Sequence, residues 1–378
     1  DRHAPLQALP VDYAKYRNRY DQGWDTMHEK RMAKLRLSGL LQGDWKPSPR
    51  PDHIPAWNSL SQPRQQFEAK RMATLAAMID RVDQEIGRVL DYLRDTGQLD
   101  NTLIWIVSDN GACPYDRRNA KIDEEPTNGS VTWSDSTGWA WARNSPFRFY
   151  KQNQFEGGIC TPAIVHWPHG LTAKPGSVSH QPAHLIDVLP TLLDATKSKM
   201  PTAFPGRELR PISGQSLLPI FSGGRIQRRQ PLHFLFASDR GLRAGDWKIV
   251  SFRRGPWELY NLADDRTEFT DLSAAQPQRL AAMVKQWNQM ARDVLHASGN
   301  SVAPVVPSEK KSHPEWTNFS KAPAETSRKK RRPERNAIRA RKNTRLTMTE
   351  EQLRLTFSGD EPGIAMDRLP AELPDGPY

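Results

Sequence analysis

The sequence is poor in cysteine and has no long apolar run. Two cysteines in 378 residues can build neither a disulfide scaffold nor a Cys-rich zinc site. An apolar run of about 18 residues, the least a membrane-spanning helix needs, is absent. The sequence also has no Gly-x-Ser-x-Gly, P-loop or His-Glu-x-x-His motif, which excludes the commonest serine hydrolase, nucleotide-binding and zinc protease sites.

Much of the positive charge lies in one stretch near the C-terminus. The formal net charge is +11, and residues 301–346 carry 13 Lys/Arg against 4 Asp/Glu, whereas residues 347–378 carry 2 against 7. Few apolar residues accompany the basic ones, so we expect residues 301–378 to be a disordered tail, first basic and then acidic. The basic part could bind polyanions, but aromatic residues do not alternate with its charges, which argues against nucleic acid as a partner.

The strongest periodic pattern predicts a long amphipathic helix followed by a buried strand. Apolar residues recur at three- and four-residue steps from Phe67 to Leu93, and Gly97 then provides a C-cap. The apolar segments Leu103–Val107 and Ala163–Trp167 are too short for helices. Because continuous hydrophobicity is typical of strands covered on both faces, we predict that these segments belong to a parallel sheet.

The C-terminal part has the pattern of a small antiparallel sheet. Short segments rich in β-forming residues lie between residues 232 and 262, and an amphipathic helix is predicted at Gln276–Leu295. The predicted fold class is therefore α/β: a mixed, mostly parallel central sheet flanked by helices, a small C-terminal antiparallel sheet with a packed helix, and a disordered tail. The corresponding domains are residues 1–229, 230–300 and 301–378.

A candidate metal site follows the first predicted strand. Ser108-Asp109-Asn110-Gly111 would lie off the carboxyl end of that strand, where ligands bind in open α/β sheets. The Asp109 carboxylate and the Asn110 carbonyl are hard oxygen donors suited to Ca²⁺ or Mg²⁺. The alternative is an Asn-Gly hairpin turn in which both residues only form the turn. The continuous apolar character of the strand favours the metal site.

Two charged or titratable residues are further candidates. Lys151 precedes Glu156-Gly157-Gly158, whose glycines allow close backbone approach, and its ammonium could bind an anion. Taken alone, a surface lysine before a Gly-Gly turn is the simpler interpretation. His3 lies near the start of the sequence, where a lone histidine is more often incidental than catalytic.

The stretch from residue 112 to residue 150 is long, polar and rich in tryptophan. It shows no helical or strand period, and a structureless insertion of that size in a compact domain is usually functional. We therefore predict that the segment Val131–Trp141 lines the mouth of a pocket, where its tryptophans could stack on sugars or aryl groups.

The order of these segments resembles the sulfatase family, in particular the bacterial arylsulfatases of the alkaline-phosphatase-like superfamily. The resemblance covers residues 1–295. It rests on these segments: His3-Ala-Pro-Leu6, Tyr20-Asp-Gln-Gly-Trp24, Val107-Ser-Asp-Asn-Gly-Ala112, Pro146-Phe-Arg-Phe-Tyr-Lys151, Glu156-Gly-Gly158, Ile186-Asp-Val-Leu-Pro-Thr191, Gly245-Asp-Trp-Lys248 and Glu258-Leu-Tyr-Asn-Leu262. Each segment alone is weak, but their number and order are specific.

The resemblance implies a sulfuric ester hydrolase, which converts a sulfate ester into an alcohol or phenol and sulfate. Asp109 and Asn110 would ligate a divalent cation, usually Ca²⁺. Lys151 and His3 would be the catalytic and substrate-binding residues that contact the sulfate and the leaving oxygen. The metal and the lysine would stabilise charge on the transferring sulfuryl group, and the segment that starts at Glu156 would hold Lys151 at the pocket wall.

One part of the family pattern is absent. The nucleophile of the family is a Cys or Ser in a Cys/Ser-x-Pro-x-Arg motif that is oxidised to formylglycine, and neither Cys113 nor Cys160 stands in that motif. The paired aspartates of the first strand in the family are absent as well. We therefore expect this sequence, which begins at Asp1 without a signal peptide, to be the C-terminal part of a sulfatase without the formylglycine precursor.

Two other functions stay open. A phosphodiesterase or phosphatase of the same superfamily would bind two metals and would need further His and Asp ligands, a pattern that His166 and His180 do not supply. A non-catalytic anion- or polysaccharide-binding protein is the second alternative. The expected partner is a sulfated small molecule or polysaccharide rather than a membrane, and the resemblance alone suggests a periplasmic or secreted location.

Overall fold

The computed structural model describes residues 4–41, 45–116, 124–129, 131, 133–201, 203–209 and 211–296, and two strands at 344–349 and 352–357. The helices are α1 (Pro10–Tyr16), α2 (Gly23–Leu37), α3 (Gln62–Asp95), α4 (Thr137–Arg143), α5 (Glu156–Ile159), α6 (Val188–Ala195), α7 (Leu218–Phe221) and α8 (Pro277–His296). The strands are β1 (Ile104–Val107), β2 (Ala163–His166), β3 (Ala203–Phe204), β4 (Arg207–Glu208), β5 (Leu232–Phe236), β6 (Asp239–Ala244), β7 (Trp247–Ser251), β8 (Trp257–Asn261), β9 (Thr344–Thr349) and β10 (Gln352–Phe357). Residues 1–325 and 326–378 form two compact units.

Helix α3 confirms the long helix predicted from the apolar period. It begins after Ser61, carries a proline in its first turn and is followed by Gly97, whose φ of 68° suits a C-cap glycine. The apolar stripe is buried only in the first half of the helix, around Phe67 and Leu75. Farther along, Val82 and Val89 are exposed. The apolar period therefore predicts the helix, but it does not predict how much of the apolar face is buried by other described residues.

The tryptophans of segment 131–141 belong to the core, so the prediction that they line a pocket mouth is wrong. Trp133, Trp139 and Trp141 are each at most 3% exposed and pack with residues of α2 and α3. The indole nitrogen of Trp139 donates to the Glu68 carbonyl at 2.8 Å. A Cβ on Gly138 would lie 2.6 Å from the Trp24 ring, so α4 rests directly on that ring. Burial of large aromatic area, rather than ligand stacking, accounts for these residues.

Strands β1 and β2 exist as predicted but do not form a buried parallel pair. They are antiparallel, with Val107 opposite Ala163 and Ile106 opposite Ile164. Ile106 and Ile164 are exposed. The apolar runs identify the strands, but hydrophobicity carries no information about strand direction. The parallel, two-sided burial expected of them is therefore not found within the described residues.

The predicted C-terminal sheet is confirmed. Strands β5 to β8 form a four-stranded antiparallel meander in sequence order. Helix α8 covers one face of it, with Trp287 and Met283 packed against Leu242 and Ile249. Strands rich in β-forming residues and a one-sided apolar helix face favour this arrangement.

The second unit, residues 326–378, contains one antiparallel pair, β9 with β10. These two strands are the described part of the range 301–378, for which the sequence predicts a disordered tail. The other residues of that range, including the basic segment 328–342, lie outside the described residues. A search of the described residues for a helix long and apolar enough to cross a membrane finds none.

Candidate active site

The antiparallel register of β1 and β2 brings the two predicted site segments together. Because Val107 is opposite Ala163, the residues that follow β1 lie beside those that precede β2. The Gly111 amide donates to the Gly158 carbonyl at 3.0 Å, and the Thr161 hydroxyl donates to the Ser108 carbonyl at 2.7 Å. The loop 108–112, which contains Asp109 and Asn110, is thus joined to the Gly-Gly segment.

The loop that carries Lys151 is attached to the same place. The Lys151 amide donates to the Ala112 carbonyl at 3.0 Å. Phe149 and Gln152, on either side of Lys151, have φ of 60° and 90°, which costs a residue with a side chain about 1 kcal/mol or more. The Lys151 side chain is half-buried, and no described carboxylate forms an ion pair with its ammonium. Lys151 is therefore joined through its backbone to loop 108–112, and its charge has no carboxylate partner among the described residues.

The donor chemistry of Asp109 and Asn110 suits a hard divalent cation, but the described residues supply too few donors. The Asp109 carboxylate is exposed, and the Asn110 amide nitrogen donates to the Gly111 carbonyl at 3.1 Å, which leaves the amide oxygen as the free atom. Ca²⁺ takes about six to eight oxygen ligands. In the part of the chain that the structure describes, no group of three or more His, Cys, Asp or Glu could hold a metal ion.

Asn144, which sequence analysis missed, connects the two loops. It is the C-cap residue of α4. Its amide oxygen accepts from the Ala112 amide at 3.0 Å, and its amide nitrogen donates to the carbonyls of Phe149 at 3.0 Å and Gly157 at 2.7 Å. The sequence offers no specific signal for it, because the stretch 112–150 shows no helical period from which a helix end could be predicted.

The two glycines after Glu156 are required by close backbone contacts. A Cβ on Gly157 would lie 2.2 Å from the Arg148 carbonyl oxygen and 2.4 Å from that of Phe149. A Cβ on Gly158 would lie 2.1 Å from the Asn153 carbonyl oxygen. The segment therefore packs directly on the backbone of the Lys151 loop.

Gly157→Ala is expected to lower the free energy of unfolding by about 3 kcal/mol, because backbone carbonyls cannot move aside as a flexible side chain can. Gly87→Ala in α3 is the matched control, since a Cβ added there would have no atom within 4 Å. It should stabilise the chain by about 0.5–1 kcal/mol through helix propensity. Urea unfolding followed by tryptophan fluorescence measures both, and equal midpoints for the two variants would refute the packing argument.

Glu156 anchors this segment to the C-terminal sheet through a buried ion network. Lys248, which is fully buried, places its Nζ 2.7 Å from Glu156 Oε1 and 2.7 Å from Glu268 Oε1. Arg266 pairs with the other Glu156 oxygen. Burial opposes ionisation of Glu156, but Lys248, Arg266 and Arg243 hold its pKa well below the usual range. The contacts support the architectural role expected for Glu156.

The pKa of Glu268 is raised to about 7, because burial disfavours its charge, the Lys248 cation offsets this only in part, and the Glu156 carboxylate repels it. A folded-state pKa above the unfolded value gives stability that is present below about pH 4.5 and lost as the pH rises through 7. From pH 5 to pH 8 the unfolding free energy should therefore fall in the wild type by about 1–3 kcal/mol more than in Glu268→Gln. Glu29→Gln, at an exposed position, should follow the wild type. Parallel pH profiles of wild type and Glu268→Gln would contradict the assignment.

The remaining candidates do not join the site. His3 lies outside the described residues, so its role stays a prediction. His166 and His180 are exposed. Burial raises the pKa of the Cys113 thiol to about 12 and that of Cys160 to about 11, the latter with help from Glu156. Both thiols are therefore inert, as expected from the sequence.

Comparisons with known proteins identify sulfatases as the relatives of this chain. The family model described as Sulfatase matches residues 1–198, and the model described as N-sulphoglucosamine sulphohydrolase, C-terminal, matches residues 147–294. An uncharacterized sulfatase of Schizosaccharomyces pombe is 30% identical over 313 residues, which cover 75% of this chain and 55% of the relative. An arylsulfatase of Klebsiella aerogenes is 28% identical, over 61% of this chain and 52% of the relative.

The fold has a counterpart among solved structures. The crystal structure of Ps i-CgsB aligns with a TM-score of 0.50 at 21% sequence identity, over 77% of this chain and 48% of that one. The chain thus spans about half the length of the first two curated relatives and of this structure. Because the Sulfatase model matches more than half of its residues, the chain belongs to the sulfatase family of the alkaline-phosphatase-like superfamily.

Proposed function

We propose that this chain forms the anion-binding and metal-binding side of a sulfuric ester hydrolase site. Lys151 would contact the sulfate, and Asp109 and Asn110 would contribute to a divalent cation site, for Ca²⁺ by family resemblance. The observation that carries the proposal is the direct joining of the two loops by the Lys151–Ala112 and Gly111–Gly158 backbone hydrogen bonds, each 3.0 Å long. The bonded residues are 39 and 47 positions apart in sequence, and the two segments are thereby held side by side.

The Lys151 ammonium supplies the electrostatic part of the chemistry. Hydrolysis of a sulfate ester breaks a sulfur–oxygen bond and leaves negative charge on the departing oxygen. A cation that has no carboxylate partner among the described residues can stabilise that charge and the sulfate oxygens. A bound divalent cation would withdraw further charge from the sulfate. His3, as a proton donor to the leaving oxygen, completes the proposal.

The nucleophile is proposed to come from outside these 378 residues. Cys113 and Cys160 lack the Cys/Ser-x-Pro-x-Arg context. Cys113 is buried and Cys160 is partly buried, and the thiol pKa is raised in both. The further oxygen ligands that calcium needs are proposed to come from outside these residues as well, since loop 108–112 offers only one carboxylate and one amide oxygen. We propose a formylglycine-bearing segment of a longer protein as the source of both.

The two alternatives make different demands on the chain. A two-metal phosphodiesterase or phosphatase needs clusters of His and Asp, and the described residues contain no group of three potential ligands. A non-catalytic anion-binding protein would bind sulfate in the same way without turnover, so it differs from the proposal only in its kinetics.

The names of the relatives support a sulfated saccharide as one substrate class. A human N-acetylgalactosamine-6-sulfatase is 33% identical over 41% of this chain and 24% of the relative. A sulfated small molecule remains the other class, since the tryptophans that could have stacked on sugars are in the core. A periplasmic or secreted location is proposed on the resemblance alone.

Isothermal titration of the full chain with sodium sulfate tests the anion site. Lys151→Ala should reduce sulfate affinity about tenfold or more, because it removes the uncompensated cation. Lys174→Ala, at an exposed position away from the site loops, should leave affinity unchanged. Equal sulfate affinities for wild type and Lys151→Ala would overturn the proposal.

A further inference from the structure

Asn144 is the one side chain found to bond both loops of the proposed site among the described residues. It receives a hydrogen bond from the loop that follows Asp109 and Asn110, at Ala112. It gives hydrogen bonds to Phe149, two residues before Lys151, and to Gly157. An asparagine amide is suited to this task because it offers an acceptor and two donors from one planar group.

The packing around Asn144 leaves little freedom. A Cβ on Gly111 would lie 1.8 Å from the Gly157 carbonyl oxygen and 3.2 Å from the Asn144 Nδ2 atom. Asn144 therefore fills the space where the two loops touch. The carbonyl that it bonds at Phe149 belongs to a residue with φ of 60°. Such a conformation persists only where the surroundings impose it.

We propose that Asn144 is a positioning residue, which sets the separation between Lys151 and the Asp109-Asn110 pair. The inference rests on the proposed function, because it takes Lys151 as the sulfate contact. Without Asn144, the two loops would lose the side-chain bonds to Ala112, Phe149 and Gly157. They would keep the Lys151–Ala112 and Gly111–Gly158 backbone bonds. The cation and the acidic loop would then no longer act on the anion at a fixed distance.

A double-mutant cycle that measures sulfate affinity tests the separation between Lys151 and Asp109 without any metal. In metal-free buffer, the Asp109 carboxylate repels a sulfate bound at Lys151, so Asp109→Asn should raise sulfate affinity by about fivefold. In an Asn144→Ala background the same change should raise it less than about twofold, because the separation of the loops is no longer fixed by the Asn144 side chain. Asn144→Asp, which keeps the acceptor for Ala112 but loses both donors, should behave like Asn144→Ala.

A purely structural role for Asn144 would lower the unfolding midpoint but leave the effect of Asp109→Asn unchanged. That outcome would overturn the inference, but if Lys151→Ala still reduces sulfate affinity, the proposed function would stand. If sulfate affinity does not depend on Lys151, both fail. Asn58→Asp, at an exposed position, is the control for the added charge.

Native-state hydrogen exchange of the wild type provides a second measurement if the Asn144 variants do not fold. The amides of Ala112, Lys151 and Gly157 all donate hydrogen bonds within the two loops that Asn144 joins. If Asn144 joins the loops, these amides should open with the same free energy and respond alike to added urea. Separate opening of Ala112 and Gly157 would overturn the inference.

Discussion

Lys151→Ala is expected to lower kcat/KM for 4-nitrophenyl sulfate by about 10²–10³-fold in a sulfatase completed with a nucleophile-bearing segment. Removal of one preorganised group that stabilises developing charge has an effect of that size in other enzymes. Lys151 is suited to such a role because its ammonium has no carboxylate partner among the described residues and its backbone amide is bonded to Ala112 of loop 108–112. Initial rates at several substrate concentrations measure the effect.

The matched control for Lys151 is Lys174→Ala, which removes an exposed lysine outside the site loops. It should keep at least half of the wild-type kcat/KM. A Lys151→Ala enzyme that retains turnover within threefold of the wild type would show that the cation is a surface lysine before a Gly-Gly turn and nothing more.

Lys248→Met is expected to destabilise the chain by about 3–5 kcal/mol. The substitution leaves the fully buried carboxylates of Glu156 and Glu268 without the cation that lies 2.7 Å from each. Removing one partner of a buried ion pair costs this much because the remaining charge is not compensated. Thermal and urea unfolding, followed by circular dichroism, measure the loss.

A second substitution separates this explanation from a simple packing defect. In Lys248→Met with Glu268→Gln only Glu156 keeps a charge, and Arg266 still pairs with it. The double variant should therefore be more stable than Lys248→Met alone. Lys285→Met on the exposed face of α8 should change stability by less than about 0.5 kcal/mol. A Lys248→Met variant as stable as Lys285→Met would contradict the account.

The elements of the fold were predictable where one face of an element carries a regular pattern. The apolar periods of α3 and α8 and the β-forming residues of β5–β8 each predict a helix or strand, and all are observed. Strand direction was not predictable for β1 and β2, since an apolar run of four residues satisfies a parallel or an antiparallel ladder equally. The polar, Trp-rich segment was misassigned because burial of its tryptophans depends on partners in α2 and α3.

The sequence indicates the reactive groups of the proposed site but not the residues that support them. Asp109, Asn110 and Lys151 stand out because a carboxylate, an amide and a lysine next to glycines have recognisable chemistry. Asn144 and Lys248 act through contacts with residues that are distant in sequence, such as the Asn144–Ala112 and Lys248–Glu156 hydrogen bonds. No spacing rule reports such contacts, and only the fold reveals them.

The rate of 4-nitrophenyl sulfate hydrolysis tests the central claim most directly, which is that this chain holds the sulfate-binding and metal-binding side of the site without a nucleophile. The rate is measured for the 378-residue chain and for the same chain preceded by a formylglycine-bearing segment of an arylsulfatase. We expect no turnover above background from the first protein, since no covalent sulfuryl intermediate can form. We expect calcium-dependent turnover from the second, which Asp109→Ala abolishes. Calcium-dependent hydrolysis by the 378-residue chain alone, or turnover of the longer protein that survives Asp109→Ala, would contradict the account.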